Sequence, residues 1–182
     1  HHSHMMRALY ATDASAYREM PLAVALPRHK ADIKQLILFA KNEGLSLIPR
    51  AAGTSLAGQC VGDGIVVDTG RYMNQILELN VEEGWVRVQP GVIRDELNAF
   101  LAPHLLFFGP NTSTANRCMI GGMVGNNSCG TTSIVYGSTR EHVLEMDVVL
   151  SDGSTATFGP LLEEGCRQKL EGNTLENKVY QH

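Results

Sequence analysis

Two stretches hold the residues whose types and spacing could do chemistry. The first is Pro49-Arg50-Ala51-Ala52-Gly53-Thr54-Ser55-Leu56-Ala57-Gly58-Gln59. It sets one cation ahead of a run of small residues, behind the apolar segment Leu45-Ser46-Leu47-Ile48. Main-chain N–H groups can converge on an anion across such a run, because few side chains obstruct them. Thr54 and Ser55 carry hydroxyls that serve a phosphate or cap the next helical turn equally well. The run has neither the Lys of a P-loop nor the spacing of a GxGxxG fingerprint. Taken alone, it is as readily a tight turn that binds nothing.

The second stretch runs from Gly109 to Gly137 and is crowded with Asn, Ser and Thr between Asn111 and Ser133. Residues 53–64 and 121–137 together hold half of the chain's 18 glycines, which suggests backbone lying close against something flat or anionic. A stretch this long without regular structure is uncommon unless it is functional or disordered. Met119, Ile120, Met123 and Val124 give it apolar anchors, which argues against disorder. The competing reading is a buried, Gly-rich helix contact. Small residues with many uncharged donors suit a large polycyclic ligand with a polar tail.

The elements that must position these stretches are legible in the periodicity. Ala23 to Leu26 reads as a strand stopped by Pro27. Asp32 to Glu43 reads as a helix with Ile33, Leu36, Ile37 and Ala40 on one face and Gly44 as its C-terminal cap. Leu45–Ile48 and Ile65–Asp68 read as further strands, which predicts a parallel β-α-β unit. Gln75–Asn80 and Trp85–Gln89 form a hairpin around residues 81–84, and Leu144–Leu150 and Ser154–Phe158 form another. Val92–Leu101 is a helix with Ile93, Leu97, Phe100 and Leu101 on one face. The fold class is therefore α+β. A small parallel unit over residues 6–69 precedes a larger mixed or antiparallel sheet with helices over residues 70–182, the junction lying near Asp68-Thr69-Gly70-Arg71.

Composition narrows the function. A hydrophobic share of 43% over 182 residues supports a packed core. With a formal net charge of -4 and no Lys/Arg run, no nucleic-acid partner is expected. The apolar run Leu36–Ala40 is too short to span a bilayer, so no transmembrane segment and no signal peptide are expected. Cys60, Cys118, Cys129 and Cys166 form no CxxC pair, so they read as reduced thiols of a cytoplasmic protein and not as a metal or cluster site. Residues 1–5 read as the remnant of an affinity tag, and the end at His182 reads as that of a cut fragment. His29, His104 and His142 are isolated, and Asp68 is a structural turn residue.

Four ordered blocks then carry a resemblance: Pro49-Arg50-x-x-Gly53-Thr54-Ser55-Leu56-x-Gly58, Gln89-Pro90-Gly91-Val92, Ile120-Gly121-Gly122-Met123-Val124-Gly125-Asn126-Asn127-x-x-Gly130, and Tyr136-Gly137. Over roughly residues 10 to 160 the chain resembles the PCMH-type FAD-binding domain of the vanillyl-alcohol oxidase superfamily. It is most similar to the group of glycolate oxidase flavin subunits, D-lactate dehydrogenases and D-2-hydroxyglutarate dehydrogenases. Tyr10-Ala11-Thr12-Asp13-Ala14-Ser15-x-Tyr17-Arg18-x-x-Pro21 and residues 125–131 are similar to members fused to an iron–sulfur half.

The resemblance implies that Ala51, Ala52, Gly53, Thr54 and Ser55, with Gly58 and Gln59 just after, hold the FAD pyrophosphate. Arg50 either offsets its charge or is a solvated residue at a strand end. Ala51-Ala52 stand where many relatives carry Gly-Gly. Gly91 would let its turn approach the cofactor. Pro110, Asn111, Thr112, Ser113, Asn116, Cys118, Ile120, Gly121, Gly122, Asn127, Gly130, Tyr136 and Gly137 would surround the rest of it. Relatives that bind FAD covalently through the first loop carry His at the place of Thr54, so non-covalent FAD is expected. The implied reaction is oxidation of a small D-2-hydroxy acid to the 2-oxo acid by hydride transfer to flavin N5. The electron acceptor is unassigned, and peripheral membrane association of the whole protein is compatible with the resemblance. Catalytic residues and any iron–sulfur ligands would lie beyond residue 182, so no catalytic residue is named. Two other readings remain open: a sugar or alcohol oxidase of the same superfamily, and a nucleotide-binding module without redox chemistry.

Overall fold

A computed structural model describes residues 1–181. Strands β1 (Ala23–Ala25), β2 (Leu47–Arg50) and β3 (Ile65–Asp68) form a sheet of order β1-β3-β2, parallel throughout. Ile65, Val66 and Val67 of the central strand are buried. A strand covered on both faces is built from such an unbroken apolar run. β2 is an edge strand. Ile65 donates to the Ser46 carbonyl and Thr69 to the Arg50 carbonyl, so the even-numbered residues of β2 face β3. Pro49 therefore turns its nitrogen to the open edge, where no N–H is needed.

The chain opens with α1 (His4–Leu9), which covers part of the segment read as a tag. The His1 ammonium donates to the Val24 carbonyl at 2.7 Å, and Val24 N–H donates back at 2.8 Å. Helix α2 (Lys30–Glu43) links β1 to β2. It starts where the Asp32 carboxylate accepts the Arg28 N–H, and ends at Gly44 with φ 65°. Its expected face is the inward one: Ala40 is buried, and Ile33, Leu36 and Ile37 are half-buried. β2 begins two residues later than expected because the Leu45 N–H still closes the helix, on the Ala40 carbonyl. Residues 51–64 then return the chain from β2 to β3. Parallel neighbours require such a crossover, and here the first Gly-rich run supplies it in place of a helix.

In the second half, β4 (Ile76–Asn80) and β5 (Trp85–Val88) pair antiparallel. Helix α3 (Arg94–Leu101) packs on them: Val92, Leu97 and Leu101 are buried against Ile76, Leu79, Val86, Val88, Leu106, Phe108 and Ile120. The second expected hairpin is β6 (Met146–Val149) and β7 (Thr155–Phe158). The two hairpins remain separate two-stranded sheets where the sequence predicts one larger sheet. Side chains link them: Arg87 of β5 meets Glu145 at 2.7 Å and Asp147 of β6 at 3.0 Å.

The second Gly-rich stretch corrects the expectation of a segment without regular structure. It contains α4 (Ile120–Gly125) and α5 (Ser133–Tyr136), followed by a 3₁₀ turn at Thr139–His142. Ile120 and Gly121 donate to the carbonyls of Val92 and Pro90, and Met123 is buried beneath them, which fixes α4 on the earlier turn. The middle of this stretch is thus a Gly-rich helix contact, but Gly122 and Gly125 are exposed, so it is not the buried contact of the competing reading. Helices α6 (Glu163–Glu171) and α7 (Leu175–Tyr180) follow β7; the periodicity reading placed no elements there. Among the described residues no helix is long and apolar enough to cross a membrane.

Candidate functional site

The first loop leaves β2 at Ala51 and is held open by two left-handed glycines, Gly53 (φ 67°) and Gly58 (φ 71°). Among the described residues no acceptor meets the N–H groups of Ala52, Gly53, Thr54, Ser55 or Leu56. Most of this backbone is only half-exposed. Consecutive unpaired N–H groups around a left-handed residue form an anion-binding concavity. The Ser55 hydroxyl bonds the Gln59 carboxamide oxygen, and Gln59 Nε2 donates to Asn126 Oδ1 at 2.9 Å. Arg50 faces elsewhere: it donates to the Thr12 carbonyl at 2.8 Å and the Tyr10 carbonyl at 3.5 Å, with its guanidinium carbon 5.2 Å from the Tyr10 ring centre.

The second stretch comes to meet this loop. A Cβ built on Gly122 would lie 3.4 Å from the Ala51 methyl. One built on Gly121 would lie 2.5 Å from Pro90 Cβ and 3.0 Å from the Pro90 carbonyl oxygen. Helix α4 is thus wedged between the Pro90–Gly91 turn and the start of the first loop. Gly91 itself lies on Gly70 and Met73, donating to the Met73 carbonyl at 2.7 Å. Gly130 lies against the Asn111 carbonyl, where a side chain would not fit. Asn127 has φ 45° and accepts the Arg140 N–H on Oδ1 at 2.9 Å. Gly109 packs on Tyr136, whose ring meets Phe107 edge-on at 5.1 Å, and Gly137 has φ 72°.

So Ala51, Gln59, Gly122 and Asn126 come together, and the two Gly-rich segments share one surface. Other expected residues lie apart from that junction. Pro110 is fully buried. Cys118 points inward, its Sγ 3.3 Å from Thr112 Oγ1 and 3.5 Å from the Met123 sulfur. Ser113 and Asn116 are exposed, and Asn116 accepts from Arg117. Ile120 belongs to the α3 core.

Several supporting residues escaped the sequence reading. Arg94 donates to the carbonyls of Pro110 and Phe108, and Asn98 brackets Phe108 through both its N–H and its carbonyl. Thr139 is fully buried and gives both its N–H (3.0 Å) and its hydroxyl (2.7 Å) to the Ser128 carbonyl. The one signal for Thr139 was the S-x-x-E pattern Ser138-Thr139-Arg140-Glu141, a capping box that fixes this turn.

The perturbed titratable groups nearby lie under the first loop. Burial and a 2.6 Å bond to Asp68 push the Tyr10 hydroxyl up to about 12. Burial works against the Asp13 charge, but bonds from Ser15 and Cys60 and the nearby Arg50 outweigh it and hold the carboxyl below its ordinary range. Burial pushes the Cys60 thiol up. The surface therefore offers backbone dipoles and uncharged donors but no poised acid or base. Among the described residues no group of three His, Cys, Asp or Glu is placed to hold a metal. The residues fit a nucleotide cofactor's pyrophosphate, because the unpaired N–H row supplies the donors that a dianion needs.

Fold and site together define an α+β module whose two Gly-rich segments meet at one surface. The chain belongs to the FAD binding domain family, which matches residues 21–159. It is 44% identical over 167 residues to the D-2-hydroxyglutarate dehydrogenase of Pseudomonas putida, covering 88% of this chain and 17% of that protein. It is 41% identical to the enzyme of the same name from Escherichia coli, covering 98% of this chain and 18% of that protein. It is also 35% identical to the glycolate oxidase subunit GlcD of Bacillus subtilis, covering 84% of this chain and 33% of that protein. The chain thus spans less than a fifth of the two dehydrogenases. Among solved structures, alkyldihydroxyacetonephosphate synthase superposes with a TM-score of 0.77 at 19% identity, covering 87% of this chain and 34% of that one, which shows a shared fold.

Proposed function

We propose that this chain is the FAD-binding part of a dehydrogenase that oxidises a small D-2-hydroxy acid of the lactate, glycolate or 2-hydroxyglutarate type to its 2-oxo acid. The observation that carries the proposal is the meeting of the two segments: unpaired N–H groups of Ala52–Leu56 on one side, and Gly122 and Asn126 on the other. FAD, when bound, supplies the oxidant that takes two electrons from the hydroxyl-bearing carbon. This chain's residues bind and orient it. The first loop receives the pyrophosphate on main-chain donors, with the Thr54 hydroxyl beside them, while the Ser55 hydroxyl is spent on Gln59. Residues 109–137 line the remainder, with Cys118, Pro110 and Ile120 shaping that wall from beneath. In this reading residues 6–69 and 70–182 are two subdomains that hold the cofactor between them. Thr54 offers no nucleophilic nitrogen, so FAD is held without a covalent bond.

The relatives' names support the substrate class, since they include D-2-hydroxyglutarate dehydrogenase and glycolate oxidase. The test is turnover of D-lactate, glycolate and D-2-hydroxyglutarate by the whole protein loaded with FAD, using an artificial acceptor and, separately, oxygen. Turnover of one of these acids with the artificial acceptor supports the proposal. Oxygen-dependent turnover of sugars or alcohols alone refutes it.

A further inference from the structure

The residues that grip the first loop come from the segment just after α1. Ala14 N–H donates to the Gly53 carbonyl at 3.0 Å. The Tyr17 ring lies against Gly58, where an added Cβ would sit 2.7 Å from the ring. Asp13 accepts the Cys60 thiol at 3.6 Å and the Ser15 N–H at 2.8 Å. Tyr10 bonds Asp68 at 2.6 Å, and Asp68 also accepts the Gly70 N–H at 2.7 Å, which ties the segment to the end of β3. The segment is itself closed on itself: Thr12 pairs with Arg18, Glu19 N–H donates to the Ala11 carbonyl at 2.9 Å, and Ala11 is fully buried.

Arg50 belongs to this set. Its guanidinium bonds the Thr12 and Tyr10 carbonyls, and it fills the space beside Gly53, where a Cβ would meet it at 2.5 Å. The two left-handed glycines of the loop are thus the two places where side chains press on it, Arg50 at Gly53 and Tyr17 at Gly58. A left-handed backbone with no side chain of its own takes the shape its neighbours impose. The Gly53 carbonyl is consumed by Ala14, while the N–H groups from Ala52 to Leu56 stay open.

We propose that residues 10–17 act as a strap that presets the first loop for an anionic pyrophosphate, with Arg50 as its tether and not as a counter-ion to the phosphates. Arg50 and Tyr17 are then positioning residues, acting on the cofactor through the loop. The proposal rests on the FAD reading above.

The test is titration of the flavin-stripped protein with FAD, ADP and riboflavin, followed by fluorescence or calorimetry at several salt concentrations. The variants are Tyr17→Ala, Tyr17→Phe and Arg50→Gln. Tyr17 is 63% exposed, so its replacement leaves the core intact. Loss of preorganisation weakens binding without removing a contact. Tyr17→Ala and Arg50→Gln are expected to weaken FAD and ADP roughly tenfold and leave riboflavin unchanged, with Tyr17→Phe restoring the wild-type value. A direct ion pair with the phosphates is screened by salt, whereas a half-buried Arg50 whose donors go to the neutral Thr12 and Tyr10 carbonyls contributes no such pair. The Arg50→Gln line against salt is therefore expected to run parallel to wild type. A flattened salt dependence for Arg50→Gln, or wild-type FAD affinity for Tyr17→Ala, overturns the strap. Wild-type protein that binds neither FAD nor ADP overturns the cofactor reading itself, and the strap with it.

Discussion

The three glycines of α4 allow one substitution to be made three times in one helix with three different outcomes. Glycine to alanine in a helix gains up to about 1 kcal/mol from propensity. What decides the sign is the space each new methyl enters. At Gly125 nothing lies within 4 Å, so Gly125→Ala is expected to raise stability by about 0.5–1 kcal/mol. At Gly122 the methyl meets only the Ala51 methyl at 3.4 Å, so stability is expected to hold or rise slightly. At Gly121 it meets Pro90 Cβ at 2.5 Å and two Pro90 backbone atoms at 3.0 Å, none of them the end of a flexible chain. Overpacking of this kind costs about 1–3 kcal/mol, which exceeds the helix gain. Net of the helix gain, Gly121→Ala loses about 1–2 kcal/mol. Since 1 kcal/mol moves Tm by about 2–4 °C in a chain of this size, it is expected to melt about 2–8 °C below wild type and Gly125→Ala about 1–4 °C above it. Circular dichroism melts settle the stabilities. FAD titration adds a second readout: Gly122→Ala is expected to bind FAD more weakly despite unchanged stability, because its methyl lies where α4 faces the first loop. Equal melting of all three variants, or Gly121→Ala as the most stable, would refute the wedge of α4 between Pro90 and Ala51.

The remaining predictions probe the supports of the site. Thr139→Val keeps the volume but loses the hydroxyl bond to the Ser128 carbonyl, which keeps the Thr139 N–H; a loss of about 1 kcal/mol and weaker FAD binding are expected, with Thr139→Ser retaining the affinity. Tyr10 has a hydroxyl raised to about 12 from an ordinary 10, so its contribution is fully present below pH 10 and is lost as pH rises from 10 to 12; urea midpoints across that window should fall more steeply for wild type than for Tyr10→Phe. Asp13, held below its ordinary range, should contribute above pH 4 and lose that contribution as pH falls further, so Asp13→Asn should flatten the acid limb of stability. Acid precipitation of FAD-loaded protein should leave the flavin in the supernatant, and flavin retained in the pellet would contradict non-covalent binding at Thr54.

Much of this molecule was legible from its residues. The unbroken apolar run at Ile65–Val67 marked a strand, and the fold made it the central one, where a strand buried on both faces can expose no polar position. The period of α2 and its Gly44 cap located the crossover helix, since both signals act within a few residues. The four ordered blocks identified the FAD-binding family because their order and gaps are a property of the chain itself. Local signals failed where contacts distant in sequence decide the outcome. Helix α4 has three glycines in six residues and no propensity to form alone; it exists because Val92 and Pro90 accept its first N–H groups and Met123 is buried beneath it. The side-chain bridge of Arg87 between two unfused hairpins is a pairing across about sixty residues that no local pattern encodes. Arg50 shows the same division most plainly. The sequence determined that a cation stands at the mouth of a small-residue loop, and the tertiary structure decided that its donors go to Thr12 and Tyr10. A guanidinium on a flexible stem can reach several acceptors, and only the folded arrangement of the chain sets which of them lies within bonding distance.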